Sequence, residues 1–544
     1  MTKAIPQPPD DSAPAPDRAW IALVAIVAAQ AFVNAWFTSR MASRLYGDEV
    51  GHLQTIMWTW RHGPGQIWGG VYTPFYYLVA TALHHVFGPS IQVDIAANIP
   101  FHAALVWGTH GIARHLTRSS RAGVVAALLV TTFPLAAGLS RMAMLDFAAI
   151  GMVALAFRLL LDTQSFSDRR RSLAFGVAAG LGTLTRDNFP ILLAGPSLVE
   201  LAFMLGESKG ARRRAKLTNL AIATAVSIAI AMTWYGVNFA NKIRGGAIRV
   251  TLAGNLAGEP IWSWNNWMFY PFTVADIGLG PWLFPIFLAA AIWFFARRSP
   301  ARAHMAAFFA VPWLVFSCLD WKLAHYVAPW ACAFAAIMAA GLAAIARRGL
   351  RLGAHVAVIG IAVAGWLGMA TNAIPRAWLN QNGWWAPLLG VRWTSPDYQQ
   401  DLYIGPPKVR ETTQVDALSA RLTESARGRE RPLIAVRFLN MPTGDGVSSV
   451  EHPFAFPLVY ALLRDGANVE IKDLIVGDGG RPEMYWASET LRPPDRWIED
   501  AAFLIAPGGF DLPGFLGQAG SWRVAGAYHH VNREYTLFER QALP

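Results

Sequence analysis

The sequence predicts a polytopic α-helical membrane protein with a small C-terminal α/β domain, and three observations predict it. Only 15% of the 544 residues are charged and 54% are hydrophobic, against about a quarter charged in a typical soluble domain. The apolar residues gather in blocks close to the roughly 20 residues needed to cross a hydrocarbon core of about 30 Å. Strand-like runs bounded by turn residues are confined to the end of the chain.

The net charge of +11 would suit a nucleic-acid partner. The cations, however, cluster between apolar blocks, where membrane topology accounts for them, so a lipid bilayer is expected as partner and nucleic acid is not. With only two cysteines, Cys318 and Cys332, a disulfide framework or a cysteine metal site is not expected. Both read as small buried hydrophobes.

In chain order, residues 1–18 are rich in proline and read as a disordered cytoplasmic tail. The next block is long for a signal peptide and lacks a small-residue cleavage site, so it reads as a retained first helix. Spans are expected at about 19–37, 93–113, 122–139, 146–161, 173–185, 189–205, 217–239, 280–296, 303–318, 323–345 and 354–372, about 11 in all. Residues 74–88 are apolar but short, and contain His84-His85. A stretch of that length reads as interfacial.

Charge tests this count, because cytoplasmic loops retain Lys and Arg. Clusters lie at Arg114/Arg118/Arg121, Arg169 to Arg171, Lys209 to Lys216, Arg297/Arg298/Arg302 and Arg347/Arg348/Arg351. Each falls on an alternate connection, which puts the N-terminus inside and the C-terminal segment outside. Counting 74–88 as a span would put every cluster outside. Arg40, Arg44, Lys242, Arg244 and Arg249 depart from the rule.

The expected domains are therefore the tail 1–18, a membrane domain 19–372, a linker 373–409, and an extracytoplasmic α/β domain 410–544. Outer loops at about 38–92 and 240–279 belong to the membrane domain, the second carrying Trp262, Trp264 and Trp267. In the C-terminal domain, 432–437, 502–506 and 535–538 read as strands and 457–463 as a helix. No internal repeat is evident.

Under this topology the outer rim collects Asp48, Glu49, Arg141, Asp146, Arg186, Asp187, Asp320, Lys322 and His325. Asp146 opens an apolar span, where a carboxylate at depth costs roughly 2.5–3.5 kcal/mol, so it is expected to face a bundle interior or hydrated cavity. Carboxylates mixed with cations suit group transfer from a lipid phosphate. An acceptor hydroxyl needs a carboxylate base, or a metal held by carboxylates. A leaving phosphate needs Arg or Lys.

Each residue also has a plainer reading. An acidic pair after a first helix is commonly a solvated loop, and Arg186 or Lys322 at a helix end is commonly an anchor that snorkels. His84-His85 reads as an interfacial pair, since no third metal ligand is indicated. His52 stands one helical turn beyond Asp48, a spacing that chance also produces.

Five pieces in order carry a resemblance. They are Tyr46-Gly-Asp-Glu-Val, Tyr72-Thr-Pro-Phe-Tyr-Tyr, Ser140-Arg-Met-Ala-Met-Leu-Asp146, Leu184-Thr-Arg-Asp-Asn, and Lys322-Leu-Ala-His-Tyr326 followed by Pro329. Over roughly residues 20–345 the chain resembles the GT-C fold glycosyltransferases, in the branch of the protein O-mannosyltransferases and lipid A aminoarabinose transferases. The resemblance implies an inverting transferase at the outer face of the inner membrane. It would use a polyprenyl-phosphate sugar donor and a lipid, glycan or protein acceptor of the cell envelope. Asp48 would be base or metal contact, oriented by Glu49 and Asp146. Arg186, Lys322, Arg141 and His325 would bind the donor phosphate, and Tyr326, Tyr76 and His52 would line the cavity. A divalent metal, if used, would be held by Asp48 and Asp146. Two departures bear on the donor: Thr73 stands where relatives carry Lys, His or Pro, and Arg186-Asp187 replaces Lys-Gly.

Two other classes stay open at this point. A secondary transporter would show repeat symmetry and ionisable groups near the midplane. A non-catalytic envelope scaffold would tolerate loss of Asp48 and Asp146.

Overall fold

The computed structural model describes residues 18–40, 48–69, 72–207, 209–253, 262–297, 299–319 and 323–370. In the C-terminal part it describes 415–429, 433–439, 458, 461–462, 464–467, 469–476, 482–484, 500–507, 521–530 and 533–541. The tail before residue 18 and the whole of the predicted linker 373–409 lie outside these residues.

In chain order the helices are α1 (Ala19–Arg40), α2 (Asp48–His62), α3 (Phe75–Phe87), α4 (Ile91–Ala96), α5 (Asn98–Thr117) and α6 (Ser120–Thr132). They continue with α7 (Pro134–Leu139), α8 (Leu145–Asp162), α9 (Arg169–Thr183), α10 (Phe189–Glu207), α11 (Gly210–Ala253) and α12 (Trp264–Thr273). Then come α13 (Phe284–Ala296), α14 (Ala301–Ser317), α15 (Ala331–Ala343), α16 (Arg348–Ala370) and, near the C-terminus, α17 (Val415–Ala426).

Helix occupies each of the eleven apolar blocks, though two are broken. Residues 122–139 divide at Phe133, whose extended backbone (ψ 130°) precedes Pro134 at the first turn of α7. Proline has no N–H to continue the preceding ladder but suits a helix start. Residues 93–113 divide at Ala97, and the short α4 starts on Ser90, whose hydroxyl accepts the Val93 N–H. Among the described residues, five helical segments are long and apolar enough to cross a membrane: Ala19–Thr38, Phe189–Gly206, Gly210–Ala240, Ala324–Ala343 and Arg348–Gly368.

The chain divides into two compact units. The first comprises Met1–Asn34, Ile99–Ser140 and Asp146–Gly405. Its centre is α15, a run of Ala with Phe334, Ile337 and Met338 that is buried along nearly its whole length. Small residues let α15 approach its neighbours closely, the packing that serves helices in lipid. A Cβ at Gly341 would already touch Ala290 of α13 at 3.0 Å. Cys332 is buried here as expected, whereas Cys318, which follows the end of α14, is exposed.

The second unit comprises Ala35–Asn98, Arg141–Leu145 and Pro406–Pro544. Helices α2, α3 and α4 belong to it. The 74–88 segment is the 13-residue α3, ended by Gly88 at φ 79°, a conformation glycine adopts at no steric cost. His84 and His85 point apart: His84 is buried and His85 is exposed.

The C-terminal part carries one six-stranded sheet of order β3-β2-β1-β4-β6-β5. Its strands are β1 (Leu433–Leu439), β2 (Val469–Val476), β3 (Pro482–Met484), β4 (Phe503–Pro507), β5 (Trp522–His530) and β6 (Arg533–Arg540). β1 is parallel to both β2 and β4, and the remaining pairs are antiparallel. Leu418 and Leu422 of α17 pack with Leu433, Phe503, Ile505 and Leu537. The three predicted strands are β1, β4 and β6; β2, β3 and β5 went unrecognised because charged and polar residues interrupt their apolar runs. Within this unit Arg61 of α2 donates to the Arg464 carbonyl at 2.7 Å.

Candidate active site

In the first unit, Asp146 lies in the first turn of α8 with its side chain only 2% exposed. A helix N-terminus favours a carboxylate, but burial in an apolar bundle demands more. Arg186 supplies it: Nη1 stands 2.5 Å from Asp146 Oδ2. His325 Nε2 lies 3.4 Å from the other oxygen, Oδ1. The guanidinium also sits over the ring of Tyr326, 5.7 Å from its centroid.

The local sequence explains each placement. Arg186 occupies the tight connection from α9 to α10, where its N–H donates to the Gly182 carbonyl and its own carbonyl accepts from Phe189, both at 3.1 Å. His325 and Tyr326 belong to a 3-10 turn, Ala324–Trp330, that leads into α15. The cluster is asymmetric. Asp146 and His325 are closed off, while 18% of the Arg186 side chain is open. Part of the guanidinium is therefore open where the carboxylate is not.

In the second unit, Glu49 is buried and accepts the Ala143 N–H at 2.9 Å. Asn98 donates to the Met142 carbonyl at 2.7 Å, so the 141–145 turn is held at successive residues. Arg141 of that turn is buried, with its guanidinium 4.3 Å from the centroid of Phe37. Burial lowers its pKa from the ordinary arginine value to about 10, which leaves it cationic at neutral pH. His52 Nδ1 meets the Tyr77 hydroxyl at 2.7 Å, and Tyr72 packs edge-on to the His52 ring.

Tyr76 is fully buried and its hydroxyl donates to the Asp94 carbonyl at 3.3 Å. Burial raises its pKa well above the ordinary phenol value, helped by the charges of Asp94 and then Glu49, so it stays neutral. Asp94 itself pairs with His84, Oδ1 to Nε2 at 2.6 Å, with both side chains wholly buried. This pair was not foreseen. The signal was present, a carboxylate inside the apolar run 91–101, but sequence alone did not supply its partner.

Asp146, Arg186, His325 and Tyr326 are thus brought together. Glu49, His52 and Arg141 occupy the second unit, and Tyr76 there faces the His84–Asp94 pair. Asp48 heads α2, but its side chain is not among those described, and Lys322 and Asp320 lie outside the described residues. Among the described residues no group of three or more His, Cys, Asp or Glu side chains is arranged to hold a metal ion. Asp146, expected as one metal contact, has its two oxygens turned to a guanidinium and an imidazole. That surrounding compensates a carboxylate already and does not fit a divalent cation.

No family model matches the chain. It is 30% identical over 339 residues to the undecaprenyl phosphate-alpha-4-amino-4-deoxy-L-arabinose arabinosyl transferase of Pseudomonas aeruginosa strain UCBPP-PA14, covering 60% of this chain and 56% of that protein. The chain spans about half the length of the curated relatives it matches. In three dimensions it aligns with ArnT from Cupriavidus metallidurans bound to undecaprenyl phosphate, at a TM-score of 0.61 and 17% identity, over 96% of this chain and 98% of that one. The chain has the GT-C fold. A second GT-C protein, the mycobacterial arabinofuranosyltransferase AftD, aligns over 97% of this chain and 40% of its own, with a TM-score of 0.52 and 13% identity. On this GT-C scaffold residues 140–144 and 184–188 are connections between helices, and Asp146 lies in the first turn of α8.

Proposed function

We propose that the protein transfers a sugar from a polyprenyl-phosphate carrier to a cell-envelope acceptor at the outer face of the inner membrane. The observation that carries this reading is the buried Asp146 held by an Arg186 that remains partly open. The named activity of the Pseudomonas relatives and the GT-C fold support it.

The acceptor hydroxyl oxygen attacks the anomeric carbon as the bond from that carbon to the phosphate oxygen breaks. The electron pair leaves on the polyprenyl phosphate, and the hydroxyl proton passes to a carboxylate. Configuration inverts, because one displacement occurs. Arg186 is assigned to the phosphate, where charge grows as the bond breaks, with Lys322 and Arg141 as further contacts, whereas His325, expected as another, is closed off beside Asp146. Asp146 and Glu49 are closed and engaged, which favours Asp48 as the proton acceptor and gives the other two carboxylates orienting roles. Tyr326, His52 and Tyr76 are assigned to the walls.

The same reading takes all eleven helical stretches as spans, with the N-terminus cytoplasmic. It places the sheet domain, residues 410–544, outside, joined by the linker 373–409. The sugar is a monosaccharide on a lipid phosphodiester, and the acceptor is a lipid, glycan or protein.

The test is turnover in nanodiscs with a panel of polyprenyl-phosphate sugars and an envelope extract. Transfer by the wild type, at least about 100-fold reduced in Asp48→Asn as expected for loss of a general base, supports the assignment. Full activity of the variant removes Asp48 from the mechanism. A folded wild type that neither transfers nor binds a donor returns the transporter and scaffold readings to the front.

A further inference from the structure

Arg186 is flanked by the carboxylate of Asp187. Asp187 is exposed, and its Oδ1 accepts the Tyr235 hydroxyl of α11 at 2.9 Å. Tyr235 is itself braced, its ring edge-on to the fully buried Trp234 at 4.9 Å. The contact therefore ties the α9–α10 turn to a third helix.

The register of that third helix is set below the turn. Gly176 and Gly180 are one turn apart on α9 and face α11. A Cβ at Gly176 would collide with the Ala223 backbone, and one at Gly180 would meet Ile230 Cβ at 2.8 Å and the Ser227 carbonyl at 3.0 Å. Two helices in such close contact cannot slide past one another without losing it. Tyr235 lies a little over one turn beyond Ile230 along α11, and the fixed register delivers its hydroxyl to Asp187.

We propose that Tyr235 and Asp187 are positioning residues that set the aim of Arg186. The packing of α9 on α11 fixes Tyr235, Tyr235 fixes the Asp187 carboxylate, and the turn so held presents Arg186 to Asp146 on one side and to a lipid phosphate on the other. The phosphate half of this statement rests on the proposed function; the link from Tyr235 to Arg186 does not. In this chain, then, the carboxylate beside the phosphate-binding cation braces the backbone toward α11.

The experiment measures undecaprenyl phosphate binding in nanodiscs and thermal unfolding for the wild type, Tyr235→Phe, Asp187→Asn, Arg186→Gln and the double variant Tyr235→Phe/Arg186→Gln. Tyr235→Phe removes one charge-assisted hydrogen bond and is expected to weaken lipid phosphate binding roughly three- to tenfold. Asp187→Asn keeps an acceptor for the hydroxyl and should remain within about twofold of wild type. In the Arg186→Gln background, Tyr235→Phe should add nothing to the loss of binding, because its effect runs through the guanidinium. Equal losses in both backgrounds, or wild-type binding by Tyr235→Phe, would overturn the proposal. If the wild type itself fails to bind undecaprenyl phosphate, the proposed function falls and the unfolding midpoints decide the remaining link. Non-additive shifts then uphold the coupling of Tyr235 to Arg186, and additive shifts end it.

Discussion

Asp146 and Glu49 are both carboxylates closed from solvent, yet the chain compensates them in opposite ways. Asp146 is met by side-chain bases on two other elements, Arg186 and His325. Glu49 is met, at one oxygen, by a backbone N–H from the 141–145 turn. The first arrangement balances charge and leaves an open cation at its edge. The second positions backbone. The first contact is a pairing of side-chain charges and the second a side-chain hold on backbone, although the sequence assigned both residues the same orienting role.

The largest effect should come from breaking the first arrangement. Arg186→Ala would leave Asp146 buried without its guanidinium, and removing one partner of a buried pair costs about 3–5 kcal/mol. Thermal unfolding in detergent should show the loss. The double variant Arg186→Ala/Asp146→Asn should recover most of the stability, since the stranded charge is gone, while lipid phosphate binding stays lost. Equal stability of Arg186→Ala and wild type would show that the pair carries little charge compensation.

How far the site was legible follows from the same comparison. Asp146, Arg186 and His325 were found because each is a charged or polar residue at the edge of an apolar block, a strong local signal. Their pairing spans up to 179 positions of sequence, from 146 to 325, and needed the helical topology to bring them to one rim. The eleven apolar blocks were likewise legible from length and composition, whereas the break at Phe133 came from backbone chemistry at Pro134. The His84–Asp94 pair was missed for the opposite reason. Reading His84-His85 as a unit ignored that neighbours on a helix point about 100° apart, so only His84 turns inward. The strands β2 and β5 escaped because charged and polar residues interrupt their apolar runs.

That missed pair gives an intermediate prediction. Asp94→Ala would remove the carboxylate from a buried imidazole, whereas His84→Ala would remove the imidazole from a wholly buried carboxylate. The second change should therefore cost more, by about 1–3 kcal/mol, the penalty for an unmet buried polar group. Comparing the two unfolding midpoints checks the order. The reverse order would mean that the imidazole depends on the pairing more than the carboxylate does.

The smallest effect is expected where only geometry is at stake. Glu49→Gln keeps a carbonyl oxygen at the place where the Ala143 N–H donates, so the turn should keep its hold and stability should fall by less than in Glu49→Ala. Glu49→Ala removes the acceptor and strands a buried N–H, at about 1–3 kcal/mol. Turnover of lipid-linked sugar should follow stability across this pair, nearly unchanged in Gln and reduced in Ala, because a residue that positions backbone is replaceable by any side chain with the same acceptor. If Glu49→Gln instead loses activity while keeping its unfolding midpoint, then the charge itself matters. Glu49 would then stand with Asp146, and the contrast between the two carboxylates would close.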